Sequence, residues 1–521
     1  MKFDNTYIAL GKPFYQRVLP AKVPKPKLLL WNRALSDDLL ITEDLVNDPQ
    51  QLGEYFSGNV LPEGAEPIAL AYSGHQFGHF NPQLGDGRAH LLGEVLSKDN
   101  VRFDIQLKGS GQTPFSRRGD GKCALAPALR EYIMSEALYA LGVPTSRCLA
   151  VVSTGETIHR GLAKAGAVVT RVAASHIRVG SFQYLAARGD ISSVKALLDY
   201  SIERHFPEID NIQDSTIAAT LSQEQRVLAF LEHVIDKQIT LIVQWLRIGF
   251  IHGVMNTDNT AICGDTIDFG PCAMMGTYNA KTVFSSIDEY GRYAFGEQGK
   301  VAHWNMARLA DCLLPLLCQY QTVADEASLS LKDKEQAQQQ LALAKIETII
   351  HRYPDKFDEA YYTMYASKLG LAEVNKETKA LVDELLALMQ SNRLDYTQTF
   401  YLLTESLTDK DKENALRNVL GAWVDQWLSI VANGQLVAQT VMAKNNPVVI
   451  PRNHHVEQIL ARCEAALESS PTALTAQESI NQIVTQFLTV LGSPYAETDA
   501  TKHYQDTAAD GDRYYQTFCG T

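Results

Sequence analysis

Three side chains with hard oxygens crowd one short region. Asp258 and Asn259 close the run HGVMNTDN (252–259), and Asp268 opens the triplet Asp268-Phe269-Gly270. A carboxylate and an amide oxygen suit Mg²⁺, which takes oxygen ligands. A metal held there beside phosphates would assist an in-line displacement at phosphorus. Two glycine-rich stretches offer the other half of such chemistry. LGDGRAHLLGEV (84–95) carries Gly85, Gly87 and Arg88, and GSGQTPFSRRGDGK (109–122) carries Arg117, Arg118, Asp120 and Gly121. Glycine lets backbone N–H groups approach an anion closely. Arg171 and Arg178 bracket a turn in TRVAASHIRVGS, and a guanidinium is well shaped to fork a phosphate. Each feature also has a plain structural reading: glycines in a turn, a flexible surface loop, arginines in salt bridges.

The order of these residues follows a known pattern. A protein kinase places a catalytic-loop Asn, and then the Asp of an Asp-Phe-Gly triplet, on its metal ions. Asn259 and Asp268 fill those two positions. TAIC (260–263) and TID (266–268) read as the strands of a hairpin, with Gly264-Asp265 as its turn. Aligning His252 with the kinase loop histidine puts Val254 where the proton-accepting Asp belongs. Valine accepts no proton, and Asp258 is the nearby carboxylate that can replace it. Lys108 ends a strand and Glu131 lies inside a helix, the arrangement of the kinase Lys–Glu ion pair. His252 reads as a structural loop histidine and Phe269 as core. His75, His79 and His90 fit no metal triad.

The elements that must position these groups divide the chain. Residues 1–40 are Pro-punctuated and read as an extended arm, because proline blocks regular ladders. AHLLGEV (89–95) and VRFDIQL (101–107) are β-rich and separated by a polar turn, which predicts a hairpin. LAPALREYIMSEALYALG (125–142) is a strong helix, with Pro127 near its start and Gly142 past its end. CLAVVST (148–154) and GAVVTRVA (166–173) are two more strands. From about Ser181 helical periodicity dominates, and the last helix of that group leads straight into HGVMNTDN. Residues 495–513 are polar and read as a mobile tail. The expected organisation is α+β, with a β-rich N-terminal lobe (1–180) and a larger helical C-terminal lobe (181–521). A β-rich lobe, one key helix and then a helical lobe is the order of a bilobal protein kinase-like fold.

Bulk properties narrow the function. At 521 residues the chain is long enough for a large core and more than one lobe. A formal net charge of −13 argues against non-specific nucleic-acid binding as its task, and leaves room for a local basic pocket. The eight cysteines include no C-x-x-C pair, so a reduced, cytoplasmic protein is expected. No apolar run approaches the ~18 residues of a membrane helix. Met1-Lys2-Phe3-Asp4 is followed by no apolar signal region.

Long motifs in collinear order then point to a family. FDNTY (3–7), AYSGHQFGHFNPQLGDGR (71–88), QLKGSGQTPFSRRGDG (106–121), LREYIMSEALYALGVPTSR (129–147), TRVAASHIRVGSFQYLAARGD (170–190), HGVMNTDN, DFGPC (268–272) and RNHHVE (452–457) carry it. With these the chain closely resembles the selenoprotein O family of kinase-like protein adenylyltransferases. The resemblance implies a kinase-like fold in which ATP lies flipped, so that its α-phosphate faces the acceptor. AMP would pass to Ser, Thr or Tyr of a protein substrate, or to the chain itself, and pyrophosphate would leave. Gly85, Gly87, Arg88, Lys108, Asp120, Gly121, Arg171 and Arg178 would hold the nucleotide, with Asp268 also contacting it. Asn259 and Asp268 would bind Mg²⁺ (or Mn²⁺), Asp258 would accept the proton, and Glu131 would orient Lys108. Relatives often carry a redox-active or selenocysteine-bearing C-terminus. By that resemblance Cys272 and Cys519 would form a reversible disulfide, although this chain has a single Cys near its end. Transfer of UMP with Mn²⁺, an atypical phosphotransferase and a nucleotide-binding pseudokinase scaffold are the alternatives.

Overall fold

Alternation along the valine-rich runs sets the two faces of a sheet. Successive strand side chains point to opposite sides. Val151 and Val169 face one core cluster, together with Leu125, Ala128 and Leu129. Val152, Val168 and Val172 face another, with Leu52 and Phe56. These contacts come from a computed structural model that describes residues 1–211, 221–323, 330–469 and 473–518. The helix Leu125–Ala140 covers the first face and the helix Pro49–Ser57 the second.

The fold is mixed α/β, with an antiparallel sheet. Its strand order is Tyr15–Arg17, Ile68–Leu70, Ala89–Leu96, Arg102–Lys108, Leu162–Ala173, Arg147–Arg160, Lys27–Trp31, and Cys123–Ala124 pairs with Leu162–Ala173 off that path. The hairpin expected over 89–107 forms, with Ala89 opposite Lys108. The strands expected at 148–154 and 166–173 extend into one long hairpin, Arg147–Arg160 with Leu162–Ala173. The N-terminal arm departs from expectation. Its pieces between prolines supply both outer strands, Tyr15–Arg17 against Ile68–Leu70 and Lys27–Trp31 against Arg147–Arg160. An edge strand needs partners on only one side, so a neighbouring proline does no harm.

Helices fill the rest, beginning with Val179–Ala186, Ile191–His205 and Gln223–Ile248. Ser222 caps the last of these in a reciprocal capping box with Gln225, and left-handed Gly249 ends it. A buried ionic cluster joins this part to the sheet. Arg204 reaches Glu94 at 2.7 Å and Asp104 at 2.6 Å, and Asp104 also accepts from His176 Nδ1 at 2.9 Å. Each buried charge is thus paired, as burial requires. The helices Asn453–Ser469 and Ala473–Leu491 return to pack against Leu125–Ala140. No helix among the described residues is long and apolar enough to cross a membrane.

One further expectation is corrected. The hairpin over 260–268 does not form. Its backbone is used elsewhere: Ala261 bridges Arg178, and Thr266 bridges Thr145. Ile262 N donates to Ile177 O at 3.0 Å and Thr266 N to Pro144 O at 3.0 Å, so the loop stitches two other segments together. A short pair does form around the motif, Phe250–Ile251 with Ala273–Met274. The polar stretch 495–513, read as a mobile tail, contains the helix Asp499–His503. Its continuation docks: Thr517 N donates to Phe284 O at 2.8 Å and Thr517 Oγ1 to Pro271 O at 2.7 Å.

Candidate active site

The glycine-rich loops, the end of the Arg102–Lys108 strand and the segments around Asp258 and Asp268 enclose one cavity of about 950 Å³. Gly85, Gly87, Arg88, Lys108, Asp120, Gly121, Asp258, Asn259 and Asp268 all line it. Arg171 and Arg178 stand behind the wall rather than in it, at 2% exposure each. Glu131 is likewise buried.

One charge network organises the floor. Lys108 Nζ donates to Glu131 Oε2 at 2.7 Å and to Asp268 Oδ1 at 3.0 Å. Arg171 donates to both carboxylates from below. Arg178 stands 3.8 Å from Asp268 and 3.8 Å from Asp86. Burial opposes ionisation of Asp268, but Arg171, Lys108 and Arg178 outweigh it and hold the carboxyl well below its usual range. Glu131 is lowered in the same way, by Arg171 and Lys108 against burial. Arg171 is thus engaged by Glu131 and Asp268, and Arg178 by Asp268 and Asp86. Asp268 also has a left-handed backbone, φ 63°, an uncommon state for a non-glycine residue.

Asp258 is built differently. It sits in a 3-10 turn, Thr257–Asn259, clamped from three sides. Arg178 Nη1 donates to its carbonyl at 2.9 Å, and His75 N donates to Thr257 Oγ1 at 2.7 Å. Gln76 Nε2 donates to Asp258 Oδ2 at 3.1 Å. The other carboxylate oxygen, Oδ1, is buried without a hydrogen-bond partner. Burial raises the acid to about 6, against the lowering effects of Gln76 and Arg178. A carboxyl that lines the cavity and is raised to about 6 is suited to taking a proton close to neutral pH.

Glycine makes room for this carboxylate. A Cβ on Gly74 would lie 2.4 Å from Asp258 Oδ1 and 2.9 Å from its Cβ. Gly74→Ala should therefore push Asp258 aside and cut turnover by about 100-fold, the cost of a misplacement near 1 Å. The variant's melting temperature, measured beside its rate, should change little by comparison. Gly85 plays a related part: with φ 93°, its Cβ would lie 2.4 Å from Phe115 Cγ, so only glycine lets the second loop close on the first.

Asn259 Nδ2 donates to Val254 O at 3.0 Å, which leaves its Oδ1 as the atom to offer a cation. With Asp268 this makes an oxygen-only pair that fits Mg²⁺ or Mn²⁺. Val254 lines the cavity and supplies no proton acceptor. His252 is buried, donates from Nε2 to Ile267 O at 2.8 Å and stacks on Trp245, as a structural residue does. Asp120 is paired with Arg160 at 2.7 Å and is lowered to about 2 chiefly by that bond.

The model of the family described as protein adenylyltransferase SelO matches residues 1–480. The chain belongs to the SelO family. It is 47% identical to the protein nucleotidyltransferase YdiU of Teredinibacter turnerae over 524 residues, 100% of both chains. The same-named protein of Pseudoalteromonas translucida is 48% identical over 502 residues, 96% of each chain. That of Shouchella clausii is 45% identical over 522 residues, 100% of this chain and 98% of the relative. As a SelO-family member the chain is an enzyme, a nucleotidyltransferase.

Sequence reading missed several groups that shape this SelO-family site. Gln76 and Gly74 set the Asp258 carboxylate. Asn256 Oδ1 accepts from Phe77 N at 3.1 Å and from Tyr293 OH at 2.6 Å, fixing the loop before Asp258. Tyr72 carries the Arg178 guanidinium at 4.4 Å from its ring centre. The signal for Gly74 and Gln76 was present in AYSGHQFGHF, whose small and polar residues suit no core strand. Cys519 lies outside the described residues. Cys272 is buried, its Sγ contacts Phe269 O at 3.2 Å, and burial pushes its thiol up to about 12.

Proposed function

We propose that this enzyme transfers AMP from ATP to Ser, Thr or Tyr hydroxyls of proteins and releases pyrophosphate. Its frame on this reading is a kinase-like bilobal fold with ATP flipped relative to kinases. The observation that carries the proposal is that Asp258, raised to about 6 by burial, lines the same cavity in which valine occupies the ordinary base position. The acceptor oxygen bonds to the α-phosphorus as the bond from that phosphorus to the bridging oxygen breaks. The hydroxyl proton goes to Asp258, and the electron pair leaves with pyrophosphate. Arg117 and Arg118 line the cavity and form no ion pair among the described residues, so they are available to the leaving group's charge. Mg²⁺ or Mn²⁺, held by Asn259 and Asp268, would supply Lewis-acid charge at the phosphates. Lys108, fixed by Glu131, would orient the phosphate chain. A reversible disulfide between Cys272 and Cys519 belongs to the same reading. Thr517, near Cys519 in sequence, docks on Pro271, the neighbour of Cys272.

Labelling tests the reading directly. Incubation with Mg²⁺ and α-³²P-ATP should label the chain or added protein, while γ-³²P-ATP should not. Intact mass should rise by about 329 Da per AMP, the nucleotidyl group that metal-assisted transfer adds. Label from γ-³²P-ATP alone would establish a phosphotransferase instead. A parallel reaction with α-³²P-UTP and Mn²⁺ decides the base that is transferred.

A further inference from the structure

The RNHHVE motif has no part in the cavity, yet it assembles a second set of metal-ligand atoms. His454 and His455 begin the helix Asn453–Ser469, and Asp506 lies in the segment after the helix Asp499–His503. One ligand atom from each of these three side chains falls within 4.8 Å of the other two. His455 Nε2 is 2.6 Å from Asp506 Oδ1, and His454 Nε2 is 3.4 Å from Asp506 Oδ2. The two rings therefore address the two oxygens of a single carboxylate. Their centroids are 4.0 Å apart.

His454 supplies the second, independent observation. Both of its ring nitrogens are buried, and neither makes a hydrogen bond. A neutral imidazole normally satisfies one donor and one acceptor, and buried polar atoms are rarely left unpaired. His455 holds Asp506 at 2.6 Å, whereas His454 Nε2 reaches the same carboxylate only at 3.4 Å without hydrogen-bond geometry, and its Nδ1 has no partner.

We propose that His454, His455 and Asp506 bind a divalent transition-metal ion, Zn²⁺ being the type, as a structural clamp separate from the catalytic cavity. Two imidazoles and one carboxylate match the donor preference of Zn²⁺, whereas Mg²⁺ and Ca²⁺ favour oxygen-only sets. In a tetrahedral site with bonds of about 2.0–2.1 Å, neighbouring ligands stand roughly 3.4 Å apart. The His454–Asp506 separation has that value, and the His455–Asp506 contact needs only to open slightly. Asp506 is 61% exposed, so solvent can complete the coordination.

The clamp joins two segments that reach the active site. Asn453, next to His454, exchanges hydrogen bonds with the backbone of Met274 at 2.9 and 2.8 Å, just beyond the Asp268 triplet. Asp506 precedes the stretch that docks Thr517 on Pro271. A metal at this point ties the C-terminal segment to the helix that holds Met274.

The test uses the full chain, stripped of metal and titrated with Zn²⁺ against a chromophoric chelator. The expected result is one strong site per chain, and a rise in melting temperature with Zn²⁺. His454→Ala and, separately, Asp506→Asn should each weaken that affinity about tenfold or more. Asp506 is exposed enough that its variant should fold if His454→Ala does not. Co²⁺ in place of Zn²⁺ should give visible d–d bands without a sulfur charge-transfer band, which separates this site from the cysteines. Asp268→Ala should leave the Zn²⁺ affinity unchanged. Absence of a strong site, sulfur ligation in the Co²⁺ spectrum, or equal affinity in parent and variants would overturn the proposal.

Discussion

Asp258→Asn should lower nucleotidyl transfer by about 10²–10⁴-fold, the usual contribution of a positioned general base. Asparagine keeps the shape of the side chain and its contact with Gln76, but it cannot accept the hydroxyl proton. The loss should fall on kcat, with nucleotide affinity little changed. The parent's kcat/KM should rise with pH through about 6 as the carboxyl ionises, and the variant should lack that limb. Stability should move the other way. The folded protein holds this proton more tightly than the unfolded chain does, because burial raises the acid from 3.8 to about 6. Ionised Asp258 therefore destabilises the fold above that range. Asp258→Asn should melt above the parent at pH 8, and the difference should shrink as pH falls through 6 and vanish well below 3.8, where the acid is neutral in both states. A folded variant that keeps full activity would remove Asp258 from the chemistry.

Asp268→Ala should be at least as severe. It removes the proposed metal ligand and the counter-charge of Lys108, Arg171 and Arg178 in a single change. Losing several kcal/mol of charge stabilisation in the transition state corresponds to about 10²–10⁴-fold in rate. Lys108 and Arg171 would be left with Glu131 and Arg178 with Asp86, so Lys108 should turn further toward Glu131. Transfer measured across a Mg²⁺ titration should fail to recover at any concentration. Recovery at high Mg²⁺ would mean that other oxygens hold the ion. A pseudokinase scaffold predicts a different outcome, with the biological role surviving both Asp258→Asn and Asp268→Ala.

Much of the site was legible because it depends on residue type and order. Lys108, Glu131 and Asp268 are far apart in sequence, yet their types follow a pattern whose geometry is known, and the structure places them within hydrogen-bond reach. The hairpin at 89–108 followed from two β-rich runs separated by a polar turn, and the strands at 148–154 and 166–173 from their β-rich composition, but not their pairing with each other. Depth was not legible. Arg171 and Arg178 have the right chemistry for phosphate, but alternation along a strand does not say which face lies behind a carboxylate. The 260–268 hairpin failed for a related reason. Its turn signal was real, since Gly264 N donates to Ala261 O at 3.1 Å, but backbone partners from residues 144–146 and 177–179 outcompeted the strand across the turn. Gly74 escaped notice because its role is to leave space, and empty space has no side chain to read.

The placement of the N-terminal arm governs the order in which this protein can be made. Residues 15–17 and 27–31 leave the ribosome before the strands they pair with, and Lys27–Trp31 has no partner until Arg147–Arg160 has been synthesised. At about 5–20 residues per second the gap lasts many seconds, during which Leu28, Leu29 and Leu30 remain exposed. Closing so long a loop also makes this pairing late and slow by topology. The sheet is thus finished at its edges by the oldest part of the chain. A nascent chain halted before residue 147 would display an unpaired apolar strand, the kind of segment that chaperones hold and that aggregates when they do not.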